Sequence, residues 1–270
     1  MIGLILGETQ IGYLIIKKLK SLNINYKIID ISQKKIFKKD KNSYSLSIGQ
    51  LGKAISILKS NKCKKVIFAG RVIRPNFIKT KFDLKALYYL PKIIKSSTKG
   101  DAYIIKEIIK IFKKEKLQIV SQTYFNKELS LEKGTITKCK IDSKSNNDFK
   151  LGKDIIYDLK TNNIGQAVVV RNNHIIALEN QQGTDSMLDR ASKILKKFYN
   201  TKKRAGVLIK FPKSNQDLRV DLPTIGIKTV KKCVKIGLKG IVLKSKYNIL
   251  LDIKKVIKIA NKNKIFIAIK

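Results

Sequence analysis

The stretch GLILGETQIG, residues 3–12, decides how the first half of the chain reads. An apolar run ends at Gly7, three polar residues follow, and then Ile11, Leu14, Ile15, Lys18 and Leu19 recur at spacings of three and four. This is the pattern of a strand, a turn and a helix. The same rhythm continues outward, with strand YKIID ending at Asp30, a short strand near Tyr44–Ser47 and a helix from Gln50 to Ser60. Strand KVIFAG then ends at Gly70, and Asp101 opens a helix with Ile104, Ile105, Ile108, Ile109 and Phe112 on one face. LQIV (117–120) is the next strand. Strands alternating with helices predict an α/β fold with a parallel sheet covered by helices on both faces.

After Glu132-Lys133-Gly134 the pattern loosens, and KCKIDSKSNNDFK (138–150) is a polar run. A boundary there gives a domain of residues 1–133 and a second of 134–270. The second half resumes with a helix over 148–160, and strands AVVV (167–170) and HIIALE (174–179) joined at Asn172-Asn173, a pair suited to a tight hairpin. A helix over 184–198, strand GVLIK (206–210), a helix ended by Gly237, strand GIVL, a helix over 252–262 and strand IFIAI complete a second α/β unit.

Composition narrows the function classes. Apolar residues make up 43% of the 270, enough to fill two cores, which argues against disorder. The three cysteines lie far apart with no CxxC pair, so neither a disulfide framework nor a zinc knuckle is expected. The start MIGLILGETQ has no basic leader, and its apolar run is too short for a signal peptide or a membrane span. The formal charge is +40, yet the cations are spread through every element and aromatics make up only 7%. Specific nucleic-acid binding is therefore not expected, while non-specific attraction to anything anionic, membrane surfaces included, is. Only six of the 59 basic residues are arginine, so an arginine here can mark a place needing a planar fork.

Several stretches carry chemistry-bearing residues. GETQ lacks the small residues of a dinucleotide-binding turn, and Asp30 alone is a weak ribose signal. FAGRVIRPNF (68–77) puts Gly70, Arg71 and Arg74 at the carboxyl end of a strand, where open parallel sheets bind ligands. In Lys99-Gly100-Asp101 the acid reads as a helix cap. In QQGTDSMLDR (181–190), Thr184 can cap a helix whose first amides face an anion, and Asp185 and Asp189 lie one turn apart beside Arg190. IGQAVVV sets Gln166 at a strand start, and His174, the only histidine, reads as a turn residue. In RVDLPTIG (219–226), Leu222-Pro223 imposes extended backbone and holds Asp221 between strand and helix. Arg219 beside it fits either an ion pair bracing the turn or a grip on a phosphate.

FAGRVIRPxF, KGDA, IGQAVVV, GTDxMLxR and RVDLPTIG, in this order, resemble the UDP-2,3-diacylglucosamine pyrophosphatase family of the LpxI type, over essentially the whole chain. The first turn, GETQIG, departs from the glycine-rich turn followed by Leu-Pro usual there. The resemblance implies a Rossmann-like N-terminal domain and an α/β C-terminal domain enclosing the substrate. It also implies a homodimer at the cytoplasmic face of the inner membrane. The implied reaction is Mg²⁺-dependent cleavage of UDP-2,3-diacylglucosamine into UMP and 2,3-diacylglucosamine 1-phosphate. Asp221 matches the family's essential aspartate and is expected to act with Arg219, with Asp221 and Asp185 as metal ligands. Substrate contacts are expected at Gly7, Gly70, Arg74, Gly100, Asp101, Gln166, Gly183, Thr184, Arg190 and Thr224. The competing readings are a nucleotide-dependent oxidoreductase or sugar-nucleotide enzyme using the first domain, and a basic RNA- or membrane-binding protein.

Overall fold

The computed structural model describes residues 1–72, 76–161, 165–213 and 216–270; Arg74 lies outside them. It divides into two compact units, Met1–Lys127 with Asp217–Asp221, and Glu128–Gln216 with Leu222–Lys270. The sequence boundary near 133 lies a few residues beyond the first division. The return of five residues, 217–221, to the first unit has no local sequence signal.

The first unit contains β1 (Ile2–Leu6), α1 (Gln10–Ser21), β2 (Tyr26–Asp30), β3 (Ser43–Ser45), α2 (Leu51–Ser60), β4 (Lys65–Ala69), α3 (Leu84–Ser97), α4 (Asp101–Lys114) and β5 (Gln118–Ile119). All five strands run parallel in the order β3-β2-β1-β4-β5. Side chains alternate across the sheet. Ile5, Ile29 and Val66 pack with Ala54, Ile55 and Leu58 of α2 and Ile109 and Phe112 of α4. On the other face Leu6 meets α1 at Gly12, where a Cβ would lie 3.3 Å from the leucine side chain.

The second unit contains β6 (Gly134–Thr135), α5 (Ser143–Thr161), β7 (Ala167–Arg171), β8 (His174–Leu178), α6 (Gly183–Phe198), β9 (Val207–Lys210), β10 (Thr224–Ile225), α7 (Ile227–Lys235), β11 (Gly240–Leu243), β12 (Ile249–Leu250), α8 (Ile253–Lys262) and β13 (Phe266–Ile269). Six strands form a mixed sheet, β6-β13-β11-β9-β7-β8, and β10 pairs with β12. Val169, Leu208, Ile241 and Ile267 face α6, α7 and α8 through Leu188, Val230 and Val256. Val168, Ile209 and Val242 face α5 through Ile156.

Three local outcomes bear on the sequence reading. Asn172 and Asn173 both adopt left-handed backbone, φ 52° and 61°, as a two-residue hairpin of the expected kind requires. Within the polar run 138–150, residues 143–150 are the start of α5, because the Asp142 carboxylate accepts the Ser145 N–H and caps it. Helix α3 has no counterpart in the sequence reading; Asp83 starts it by accepting the Ala86 N–H.

Candidate active site

The carboxyl ends of β1 and β4 come together at two glycines. A Cβ on Gly7 would lie 2.3 Å from the Arg71 carbonyl oxygen, and Gly70 (φ +93°) abuts the Gly7 backbone. Gly7 N donates to the Ala69 carbonyl and Glu8 N to that of Arg71. The first turn is thus closed by backbone bonds, and its glycine serves strand-to-strand approach. Asp30 is fully buried; it accepts the Ser32 amide (3.0 Å) and hydroxyl (2.6 Å) and the Phe37 amide (2.9 Å). A buried acid holding three bonds from its own loop reads as a brace for that loop rather than as a ribose contact. Both features remove the support for a dinucleotide-binding reading.

Residues 217–221 form a tight turn in this unit, with the amides of Val220 and Asp221 donating to the Asp217 carbonyl. Gln122 fixes the turn to β4: its amide N–H donates to the Arg219 carbonyl at 3.0 Å, and its Nε2 to those of Val220 (2.5 Å) and Phe68 (3.0 Å). Arg219 does not grip Asp221. Its Nε donates to Asp217 Oδ1 at 3.0 Å and its Nη2 to Asp217 Oδ2 at 2.7 Å. This guanidinium holds the Asp217 carboxyl below the usual carboxylate range.

Asp221 lies on the wall of an apolar cavity of about 610 Å³ within the first unit. Ile5, Ile29, Phe68, Ile105, Ile108 and Phe112 line its interior, Ala86, Leu90 and Ile93 of α3 form one side, and Asp101 and Arg71 are further polar members. A second cavity of about 710 Å³, basic on balance, shares Ile31, Ser47, Ile48, Gln50, Arg71 and Val72 with it and adds Lys35, Lys79, Lys81 and one acid, Glu8. Asp101 is the first residue of α4, behind Gly100, which takes the cap position at φ +114°.

The second unit holds a different polar cluster. The Thr184 hydroxyl donates to Glu179 Oε2 at 3.2 Å and accepts from Lys210 Nζ at 2.9 Å, and Lys210 also donates to the Thr224 carbonyl at 3.1 Å. Among the described residues Glu179 and Lys210 are the one buried glutamate and the one buried lysine. Burial pushes the Glu179 carboxyl up, opposed by the charge of Lys210. Lys210 ends the central strand β9, so the cluster ties the start of α6 to β10 at the carboxyl edge of the sheet. Nearby, Gly165 lies so close to Glu179 that a Cβ would sit 2.2 Å from its carbonyl, and Gln166 Oε1 is buried without a hydrogen-bond partner.

The remaining expected residues fall as follows. Gln182, not Thr184, occupies the α6 cap position, and Gly183 has φ +85° with open space where a Cβ would stand. Arg190 braces that end, donating to Gln182 Oε1, Ser186 Oγ and the Leu178 carbonyl. Thr224 turns its hydroxyl to the Leu222 carbonyl. Asp185 pairs with Lys228 at 2.8 Å and Asp189 with Lys232 at 2.7 Å. His174 is exposed, its Nδ1 against the Asn172 carbonyl. Among the described residues no three His, Cys, Asp or Glu gather as a metal cage. Mg²⁺, however, needs only one or two carboxylates alongside phosphate oxygens and water. Asp221 and Asp101, hard oxygen donors lining one cavity, are a donor set of that kind. Asp185 is ion-paired to Lys228 and belongs to the other unit.

Comparison with known proteins agrees with this layout. Residues 1–129 match the model of the LpxI N-terminal domain and residues 132–268 that of the LpxI C-terminal domain. The chain is 34% identical over 198 residues to a protein of Caulobacter vibrioides named UDP-2,3-diacylglucosamine pyrophosphatase LpxI, covering 73% of this chain and 71% of that protein. With both halves matched in order, the chain belongs to the LpxI family.

Proposed function

We propose that the protein hydrolyses the pyrophosphate bond of UDP-2,3-diacylglucosamine, a lipid A precursor, releasing UMP and 2,3-diacylglucosamine 1-phosphate. The observation that carries this reading is the pairing of Asp221 and Asp101 with an apolar cavity. A purely polar sugar nucleotide has no use for such a chamber; an acylated one needs a place for its chains next to the group that cuts it. The similarity to the Caulobacter protein supports the same substrate.

In this account Asp221 orients the attacking water and accepts its proton, held in place by the Asp217 turn and by Gln122. Arg71, on the wall common to the apolar and basic cavities, neutralises phosphate charge. Asp221 and Asp101 would hold Mg²⁺, which when bound supplies charge neutralisation on the pyrophosphate oxygens. The test is direct: purified protein incubated with UDP-2,3-diacylglucosamine and Mg²⁺ is expected to release UMP, and chelation with EDTA to stop it. Absence of UMP with the authentic acylated substrate overturns the proposal.

A further inference from the structure

Helix α3 is apolar on two faces. Ala86, Leu90 and Ile93 look into the apolar cavity, whereas Leu84, Leu87, Tyr88, Pro91 and Ile94 form an exposed stripe at spacings of three and four. Leu84 is 87% exposed, Tyr88 is 74% exposed, and Ile78 just before the helix is 95% exposed. A soluble helix ordinarily turns charges outward, and a contiguous apolar stripe on the surface marks something it meets. The flanks say what. Lys79, Lys81, Lys92 and Lys95 are exposed around the stripe, and the one acid between Asn76 and Ser97 is Asp83. Its carboxylate is engaged by the amides of Ala86 (2.8 Å) and Lys53 (3.0 Å).

We propose that the outer face of α3, with Ile78, is the surface by which this protein docks on an anionic phospholipid bilayer. Apolar side chains with flanking lysines, lying in the plane of the interface, are the arrangement an anionic headgroup layer accepts. Continuity with the cavity supports a lipid rather than a protein partner: the helix that meets the bilayer is also one wall of the chamber assigned to the acyl chains. A chain drawn from the membrane then has one helix to pass. The inference rests on that assignment of the chamber. No helix among the described residues is long and apolar enough to cross a membrane, so contact of this protein through α3 is with the surface.

Vesicle binding tests this without any nucleotide, so its outcome is separate from that of the hydrolysis assay. The chain has no tryptophan, so Leu84→Trp introduces a single reporter. Its emission is expected to shift to the blue on adding vesicles of phosphatidylcholine and phosphatidylglycerol. The triple variant Leu84→Ser, Leu87→Ser, Tyr88→Ser keeps every charge, and its partition to these vesicles is expected to fall roughly tenfold or more. Its turnover of detergent-dispersed substrate is expected to stay within about twofold, since no altered side chain lines the cavity. Unchanged partition of the triple variant overturns the proposal, as binding by charge alone would give that result. So does an unshifted Leu84→Trp emission, or loss of a dimer in the triple variant with vesicle binding intact, which would assign the stripe to a second copy.

Discussion

Arg219 grips Asp217, two residues away, rather than Asp221. The arginine of the RVDLPTIG stretch thus stiffens the turn whose last residue is the candidate catalytic acid. Its fork uses Nε and Nη2 together, which a lysine cannot copy. Arg219→Lys is therefore expected to lower kcat by about tenfold with KM nearly unchanged. Asp217→Asn should do the same, and the double variant should be no worse than either, because both remove one bond pair. Steady-state kinetics of the three variants check this.

Glu179 and Lys210 share the Thr184 hydroxyl in a buried site. Removing one charge takes from the other its buried opposite charge, at a cost of about 3 kcal/mol. Lys210→Met and Glu179→Gln should each show that loss in urea unfolding, and the combination should lose less than the sum. Additive losses would mean the two groups do not interact.

Cavity shape should control chain length. Ala86→Leu narrows the chamber from the α3 side. The KM for long-acyl substrate is expected to rise about tenfold, while a short-acyl analogue is turned over nearly as before. Equal effects on both would detach the cavity from the acyl chains.

Acid stability should report the α5 cap. Lys239 beside Asp142, with the Ser145 amide, holds the Asp142 carboxyl at about 2. A lowered folded value means the contribution is full above the unfolded value of about 4 and is lost as pH falls toward 2. The pair is partly exposed, so solvent screening limits it to at most about 1 kcal/mol. Asp142→Asn, which still caps, should be less stable than the parent at pH 6 and equal to it near pH 2 in thermal melts.

Much of this architecture was legible because local rules and tertiary structure agree. The strands ending at Asp30, Ala69 and Lys210, and the Asn172-Asn173 hairpin, follow from apolar runs and turn chemistry. Helix α3 escaped because apolar residues on two faces blur the helical period, and Pro91 interrupts it. The start of α5 escaped because Ser, Asn and Asp read as loop until Asp142 is seen as their cap. At the site, Asp221 stood out by its Leu-Pro neighbour. Glu179 and Lys210 left only a faint trace, each a charge ending an apolar strand run, since their meeting depends on the order of β8, β7 and β9 in the sheet. That 217–221 belongs with the first unit is a long-range fact with no local signature.

In the proposed reaction Asp221 carries the hydrolysis. UMP release from UDP-2,3-diacylglucosamine under single-turnover conditions, compared between the parent and Asp221→Asn, tests it most directly. The Asp221→Asn rate is expected to be lower by about a thousandfold or more in a variant that still folds and binds substrate. A rate within about threefold of the parent would contradict it.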